Sequence, residues 1–207
     1  MFNTKFPIIL YHGVSSSAYE CRYRDESELE WILSLEVFER QMKILKELNF
    51  NVTTIQELND FNNAGKVLKK PIILTFDDGY EANYFNVFPV LKRYGFKAEF
   101  YITSDWIDSE GYMKSKQLIE MDIAGMSIQS HGKSHKFLTT LMVNDLNKEL
   151  LESKRKIECV LNHDVNLISY PGGRFNSLTE ECIVNSGYKG SFTSIRGYNN
   201  LFVQGLS

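Results

Sequence analysis

The chain has 207 residues, 43% of them apolar, and a formal net charge of −3. That is the size of one ordinary domain with a sizeable core, and the charge argues against a nucleic-acid footprint. No long apolar run suggests a membrane span, and Met1 to Pro7 lacks the charged start, apolar core and cleavage site of a signal peptide, so the default expectation is cytoplasmic action unless a leader has been removed.

Strand and helix patterns alternate along the chain. Pro7 to Tyr11 reads as an apolar strand ending at His12-Gly13. Residues Ser15 to Trp31 are polar and charged, a long loop in which Asp25, Glu26, Glu28 and Glu30 form a solvated face or the rim of a groove. Ser34 is placed to cap a helix carrying Val37, Met42, Leu45 and Leu48 among its apolar positions. Asn51 to Thr54 reads as a short strand and Ile55 to Asn62 as a helix. Pro71 to Phe76 is the central strand, an apolar strand that stops abruptly at Asp77-Asp78-Gly79. Glu81 to Tyr94 follows as a helix with Gly95 at its C-cap. Ala98 to Thr103 is a strand, Ser115 to Ala124 a helix ended by Gly125, and Ser127 to Ser130 a strand. Leu141 to Leu161 is the longest helix, with Leu146, Leu150, Ile157 and Leu161 on its buried stripe. Val165 to Tyr170, Ser177 to Ser186 and Gly190 to Thr193 complete the series as strand, helix and strand. Cys21, Cys159 and Cys182 show neither zinc spacing nor a disulfide framework and are expected as free, buried thiols.

Repeated βα units of this size predict a parallel sheet with helices outside. About seven strands suffice for a small, irregular barrel. The polar groups cluster just after strands: His12, Asp77-Asp78, His131 to His135, and Pro171-Gly172-Gly173. In parallel α/β folds, sites gather at those carboxyl ends. Neighbouring residues on a strand point to opposite faces, so adjacent carboxylates at a strand end can aim at different things. One can hold a cation and the other can take a proton. An exposed Asp-Gly turn is the bland alternative. His131 and His135, in a His-x-x-x-His spacing, are two of four histidines in the chain. Two imidazoles plus one carboxylate, with positions left for water, is a recognised layout for a catalytic divalent metal. Asp-Asp-Gly lacks the spacing of a phosphotransferase, and no glycine-rich phosphate loop is present.

These residues resemble the polysaccharide deacetylases, the NodB-homology or carbohydrate esterase family 4 enzymes. Thr75 to Tyr80 is similar to their first motif, Ser130 to His135 to their second, and Ser169-Tyr170-Pro171-Gly172-Gly173 to their third. The resemblance spans Pro7 to Thr193 and makes residues 1–207 a single catalytic domain. It implies a distorted (β/α)7 barrel, either closed or left open at its C-terminal end. It also implies metal-dependent removal of N-acetyl groups from amino sugars of a glycan. By matching positions, Asp78, His131 and His135 would hold a divalent metal, Zn2+ in most members, and Asp77 would be the general base. Tyr170, Pro171 and Gly172 would form a wall of the groove, with a backbone N–H near Gly172 facing the oxyanion.

Two positions depart from that pattern. Many members have an arginine where this chain has Ser169; Arg174 is near but does not match. Most also have a late histidine acting as general acid, and no histidine follows His163 here. One branch, resembling the biofilm poly-N-acetylglucosamine deacetylases, has a circularly permuted motif order with its acid in an early Tyr-His pair. Tyr11-His12 looks like that element, which implies His12 as general acid; a local strand cap is the alternative. Tyr11, Trp31, Tyr80, Trp106 and Tyr170 are candidates for sugar stacking, with core packing the ordinary reading. His163 is expected at the surface and Lys133 as a solvated charge. An amidohydrolase acting on a non-sugar amide and a carbohydrate-binding protein without turnover stay open, as does the oligomeric state.

Overall fold

A computed structural model of the chain describes residues 5–17, 29–197 and 199–200. Cys21, Asp25, Glu26 and Glu28 lie outside them. The strands are β1 (Lys5–Phe6), β2 (Ile8–Tyr11), β3 (Gly13–Ser15), β4 (Ile32–Ser34), β5 (Asn51–Val52), β6 (Pro71–Phe76), β7 (Glu99–Ile102), β8 (Ser127–Ser130), β9 (Leu167–Ser169), β10 (Gly190–Phe192) and β11 (Asn199–Asn200). The helices are α1 (Leu35–Glu47), α2 (Ile55–Asn63), α3 (Glu81–Tyr94), α4 (Ser115–Ile123), α5 (Val143–Leu161) and α6 (Ser177–Asn185).

The main sheet has seven strands in the order β10-β9-β8-β7-β6-β2, with β5 also pairing β6. Its pairings are parallel. Among the described residues no ladder joins β10 to β2, so the curled sheet is an open barrel. β1 and β11 form a separate short antiparallel pair, Lys5 with Asn200 and Phe6 with Asn199.

The elements form where local chemistry favours them. All six residues of β6 are buried, as its largely apolar run, interrupted by Thr75 alone, requires for a strand covered on both faces. Ser34 Oγ accepts the Val37 N–H at the start of α1, and Thr54 Oγ accepts the Glu57 N–H at the start of α2. Gly95 ends α3 in the left-handed region, at φ 67°. On α5, Leu146, Leu150, Ile157 and Leu161 are buried at helical spacing, as expected; so are the polar Glu149 and Ser153.

Register is set by aromatics on the outer face. Tyr11 pairs with Phe76, and Phe76 with Phe100. Their rings stack with centroids 5.1 and 4.9 Å apart, each pair worth about 1 kcal/mol beyond its buried area. The residues one position on, His12, Asp77 and Tyr101, are thereby delivered to the inner face side by side.

Some expectations need correction. Cys182 is buried but Cys159 is exposed, because its place on α5 lies off the buried stripe. Leu48 is 52% exposed at the C-cap of α1, and Phe38 fills the core position instead. The ends of the segment expected as loop run into a parallel pair, β3 with β4. It is held by α3, where Asn86 Nδ2 donates to Val14 O and Asn83 Oδ1 accepts the Val14 N–H. Tyr11, Tyr80 and Tyr170 are buried and present no stacking face. Trp31, 58% exposed, and half-buried Trp106 do. His163 is exposed, as expected, and pairs with Asp122 at 3.0 Å.

Candidate metal centre at the strand ends

The turn after β6 separates its two carboxylates. The Asp77 N–H still bonds to Tyr11 O at 3.0 Å, continuing the β2 ladder. Gly79 N–H then reaches back to Asp77 O at 3.0 Å, leaving Asp78 at φ 74°. Asp is one of the few residues with a side chain that tolerate this region. Gly79 follows at φ 89°, where a Cβ would stand 3.2 Å from Ile102 Cδ1. The tight turn sends Asp77 toward β9 and Asp78 toward the loop after β8.

Asp77 Oδ2 accepts the Ser169 Oγ–H at 3.0 Å, whereas Asp77 Oδ1 is buried with no hydrogen-bond partner among the described residues. Burial first, and the neighbouring Asp78 charge second, push the Asp77 carboxyl up to about 7. The positive field of His12 and the Ser169 hydrogen bond oppose that only in part. Asp78 behaves oppositely. Burial would raise it, but the neighbouring imidazoles, His135 first, outweigh burial and hold it at about 2.

His131 continues the β8 ladder through its N–H to Ile102 O, 2.8 Å. Its Nδ1 stands 2.9 Å from Ser169 O. A carbonyl only accepts, so Nδ1 carries the proton and Nε2 presents a lone pair. Burial depresses His131 to about 4, keeping the ring neutral. His131 Nε2 lies 3.4 Å and His135 Nε2 3.2 Å from Asp78 Oδ1, a buried oxygen that makes no hydrogen bond among the described residues. One donor atom from each of Asp78, His131 and His135 lies within 4.8 Å of the others. Electron-rich donors converging on an unsatisfied buried oxygen are costly unless a cation sits among them. The residues fit a divalent metal.

The remaining sequence-predicted residues surround this cluster. His12 follows β2 opposite Asp77, half-buried, and its charge is felt by both carboxylates. Asn83 Nδ2 fixes its carbonyl at 2.6 Å, and Trp31 lies 5.4 Å from its ring. Trp106 lies 5.2 Å from the His135 ring on the other side. Gly172 is exposed at φ 64°, and among the described residues no backbone carbonyl takes its N–H. A Cβ there would come 2.4 Å from the Phe137 ring, so the position requires glycine. Pro171 is buried behind it. Tyr170 spends its N–H on Phe192 O and packs its ring against Phe175, so it backs the site without facing it. Arg174 lies over the Phe137 ring at 4.3 Å, while Asp77 is held by Ser169. Sequence reasoning passed over Ser169, Asn83 and Glu149 as contributors. The only local signal for the last two is a polar residue on the buried stripe of a helix.

The sequence model of the polysaccharide deacetylases matches residues 64–191. YxkH of Bacillus subtilis (strain 168), itself named in that family, is 31% identical over 93% of this chain and 66% of its own length. The poly-beta-1,6-N-acetyl-D-glucosamine N-deacetylase of Staphylococcus aureus (strain MSSA476) is 26% identical over 75% of this chain and 59% of its own. The chain thus spans roughly two thirds or less of these relatives' lengths. The solved structure of the Streptococcus pyogenes deacetylase PplD in complex with acetate superposes with a TM-score of 0.84 at 27% identity, covering 95% of this chain and 87% of that one.

Proposed function

Because this chain belongs to the polysaccharide deacetylase family, we propose that it hydrolyses N-acetyl groups on amino sugars of a glycan with a divalent metal, Zn2+ by its ligands, held by Asp78, His131 and His135. The observation that carries this is the convergence of those three donors beside a second, differently tuned carboxylate. Poly-β-1,6-linked N-acetylglucosamine is the first substrate to test, given the Staphylococcus relatives.

When bound, the metal supplies Lewis acidity, polarising the acetyl carbonyl and acidifying water. Asp77 takes the proton of the attacking water on Oδ1, because Oδ2 is committed to Ser169. Its position near neutrality suits a general base. The Gly172 N–H is the donor offered to the oxyanion. As the C–N bond breaks, His12 gives its proton to the departing amine nitrogen, and the products are acetate and a free amino sugar. Trp31 and Trp106 flank the centre as faces for pyranose rings.

The test is acetate release from N-acetylated poly-β-1,6-glucosamine, chitin oligomers and simple N-acetyl amides, before and after chelation and Zn2+ restoration. Chelator-sensitive release from glycans supports the reading. Release from simple amides alone makes the protein a different amidohydrolase, and tight glycan binding without release makes it a binding protein. His131→Ala and His135→Ala should each lower bound zinc, measured by elemental analysis.

A further inference from the structure

The loop carrying both histidine ligands, residues 131–135, has two left-handed positions, Gly132 at φ 78° and His135 at φ 60°. Left-handed backbone at a residue with a Cβ persists only where its surroundings over-determine it. The peptide carbonyls of the loop are held from one side: Ser104 N–H donates to Gly132 O at 3.1 Å and Asp105 N–H to Lys133 O at 2.8 Å. On the other side stands α5. Glu149 Oε1 accepts the Lys133 N–H at 3.0 Å, the Ser134 N–H at 2.5 Å and the Ser134 hydroxyl at 3.0 Å. Two successive backbone N–H groups form a concavity that binds an anion, and this carboxylate fills it. One turn further along α5, Ser153 Oγ donates to Gly132 O at 2.8 Å and pairs with Ser130 Oγ, which accepts the Gly132 N–H at 3.1 Å. Glu149 is 5% and Ser153 0% exposed. The neighbouring half-buried Lys133 and exposed Glu152 pair through Lys133 Nζ at 2.6 Å, away from the loop's peptide groups.

The geometry points to Glu149 as a positioning residue: its carboxylate, delivered by α5, locks the 131–135 loop so that His131 and His135 present their Nε2 atoms to one ion. The inference rests on the metal reading of the site. Without that carboxylate, two N–H groups and a hydroxyl lose their acceptor in a partly buried place, and the loop must open to rehydrate them. His135 sits at the far end of that loop. Groups that orient ligands without touching the metal change affinity by about 10- to 100-fold.

The experiment measures Zn2+ dissociation constants by competition with a chelating indicator, the visible spectrum of the Co2+-loaded protein, and thermal unfolding of the metal-free protein. Glu149→Ala should stay folded without metal, bind Zn2+ on the order of 10- to 100-fold more weakly, and shift the Co2+ spectrum. Glu149→Gln keeps one acceptor oxygen without its charge and should lose on the order of 5-fold. Glu152→Gln, on the same helix but at the surface, should match the unmodified protein. Should Glu149→Ala not fold, Glu149→Gln carries the test. Folded Glu149 variants with unchanged Zn2+ affinity and Co2+ spectrum would overturn the proposal, as would failure of both variants to fold, which would assign Glu149 to the fold itself. If the unmodified protein binds no Zn2+, the metal reading fails first and takes this inference with it.

Discussion

Glu99 is fully buried at the start of β7, and its carboxylate is poorly matched. Oε1 accepts the Ile55 N–H at 2.7 Å, but Oε2 has no hydrogen-bond partner. The charged neighbour it feels is another carboxylate, Glu57, whose own partner is Lys97. Burial therefore raises the Glu99 carboxyl from 4.5 to about 7, with the Ser127 hydroxyl and the Ile55 N–H opposing only in part. The folded-state value lies above the unfolded one, so the sign is fixed. Below pH 4.5 both states hold the proton and stability is at its fullest. Between pH 4.5 and about 7 the unfolded chain releases the proton while the folded protein keeps it, and stability falls by about 1.4 kcal/mol per pH unit. Above pH 7 the loss levels off at about 3 kcal/mol. Glu99→Gln retains the acceptor for Ile55 and cannot titrate. The stability difference between the two proteins should therefore change by about 3 kcal/mol from pH 4 to pH 8, in favour of the variant, whatever constant offset the amide adds. Urea unfolding of both metal-free proteins across that range, followed by circular dichroism, measures it. Parallel stability–pH curves would refute the reasoning.

Asp77→Asn keeps the shape and the contact with Ser169 but removes the base, so zinc content should be unchanged while turnover drops about 10²- to 10⁴-fold. His12→Gln should likewise leave zinc in place and cut kcat by about 10²-fold or more; unaltered kcat removes His12 as acid. Ser169→Ala frees Asp77 Oδ2 and should lower kcat about 10-fold with little change in KM, and Ser169→Thr should restore most of it. Full kcat in Ser169→Ala would mean the hydroxyl does not steer the base.

Much of the fold is legible locally. The apolar run of β6, the Ser34 cap of α1, the Gly95 stop of α3 and the 146-150-157-161 stripe of α5 each reflect interactions within a few residues, and each element lies where its pattern places it. The ligands are legible for the same reason: a strand end carrying Asp77-Asp78 and a His-x-x-x-His segment are short motifs whose chemistry is written in residue type. Residues that serve the site through distant partners are not legible. Ser169 reaches Asp77 across 92 positions and Glu149 reaches the 131–135 loop from α5; a lone serine or glutamate carries no local sign of such a role. The motif places Tyr170 on a groove wall, but its ring is buried with Phe175 5.5 Å away, a contact that its sequence neighbourhood does not specify.

Residue order alone thus decided which elements form and which side chains can bind a metal or move a proton, because caps, periodicity and donor chemistry act over a few bonds. The curl of the sheet decided which of them meet: stacking of Tyr11, Phe76 and Phe100 sets the register, and the register puts His12 beside Asp77. Burial raises both of two adjacent, chemically identical carboxyls, and the imidazoles beside one of them alone reverse it, leaving Asp77 at about 7 and Asp78 at about 2. The cost of removing a charge from water depends on what surrounds it in space, and neighbours in sequence do not specify that.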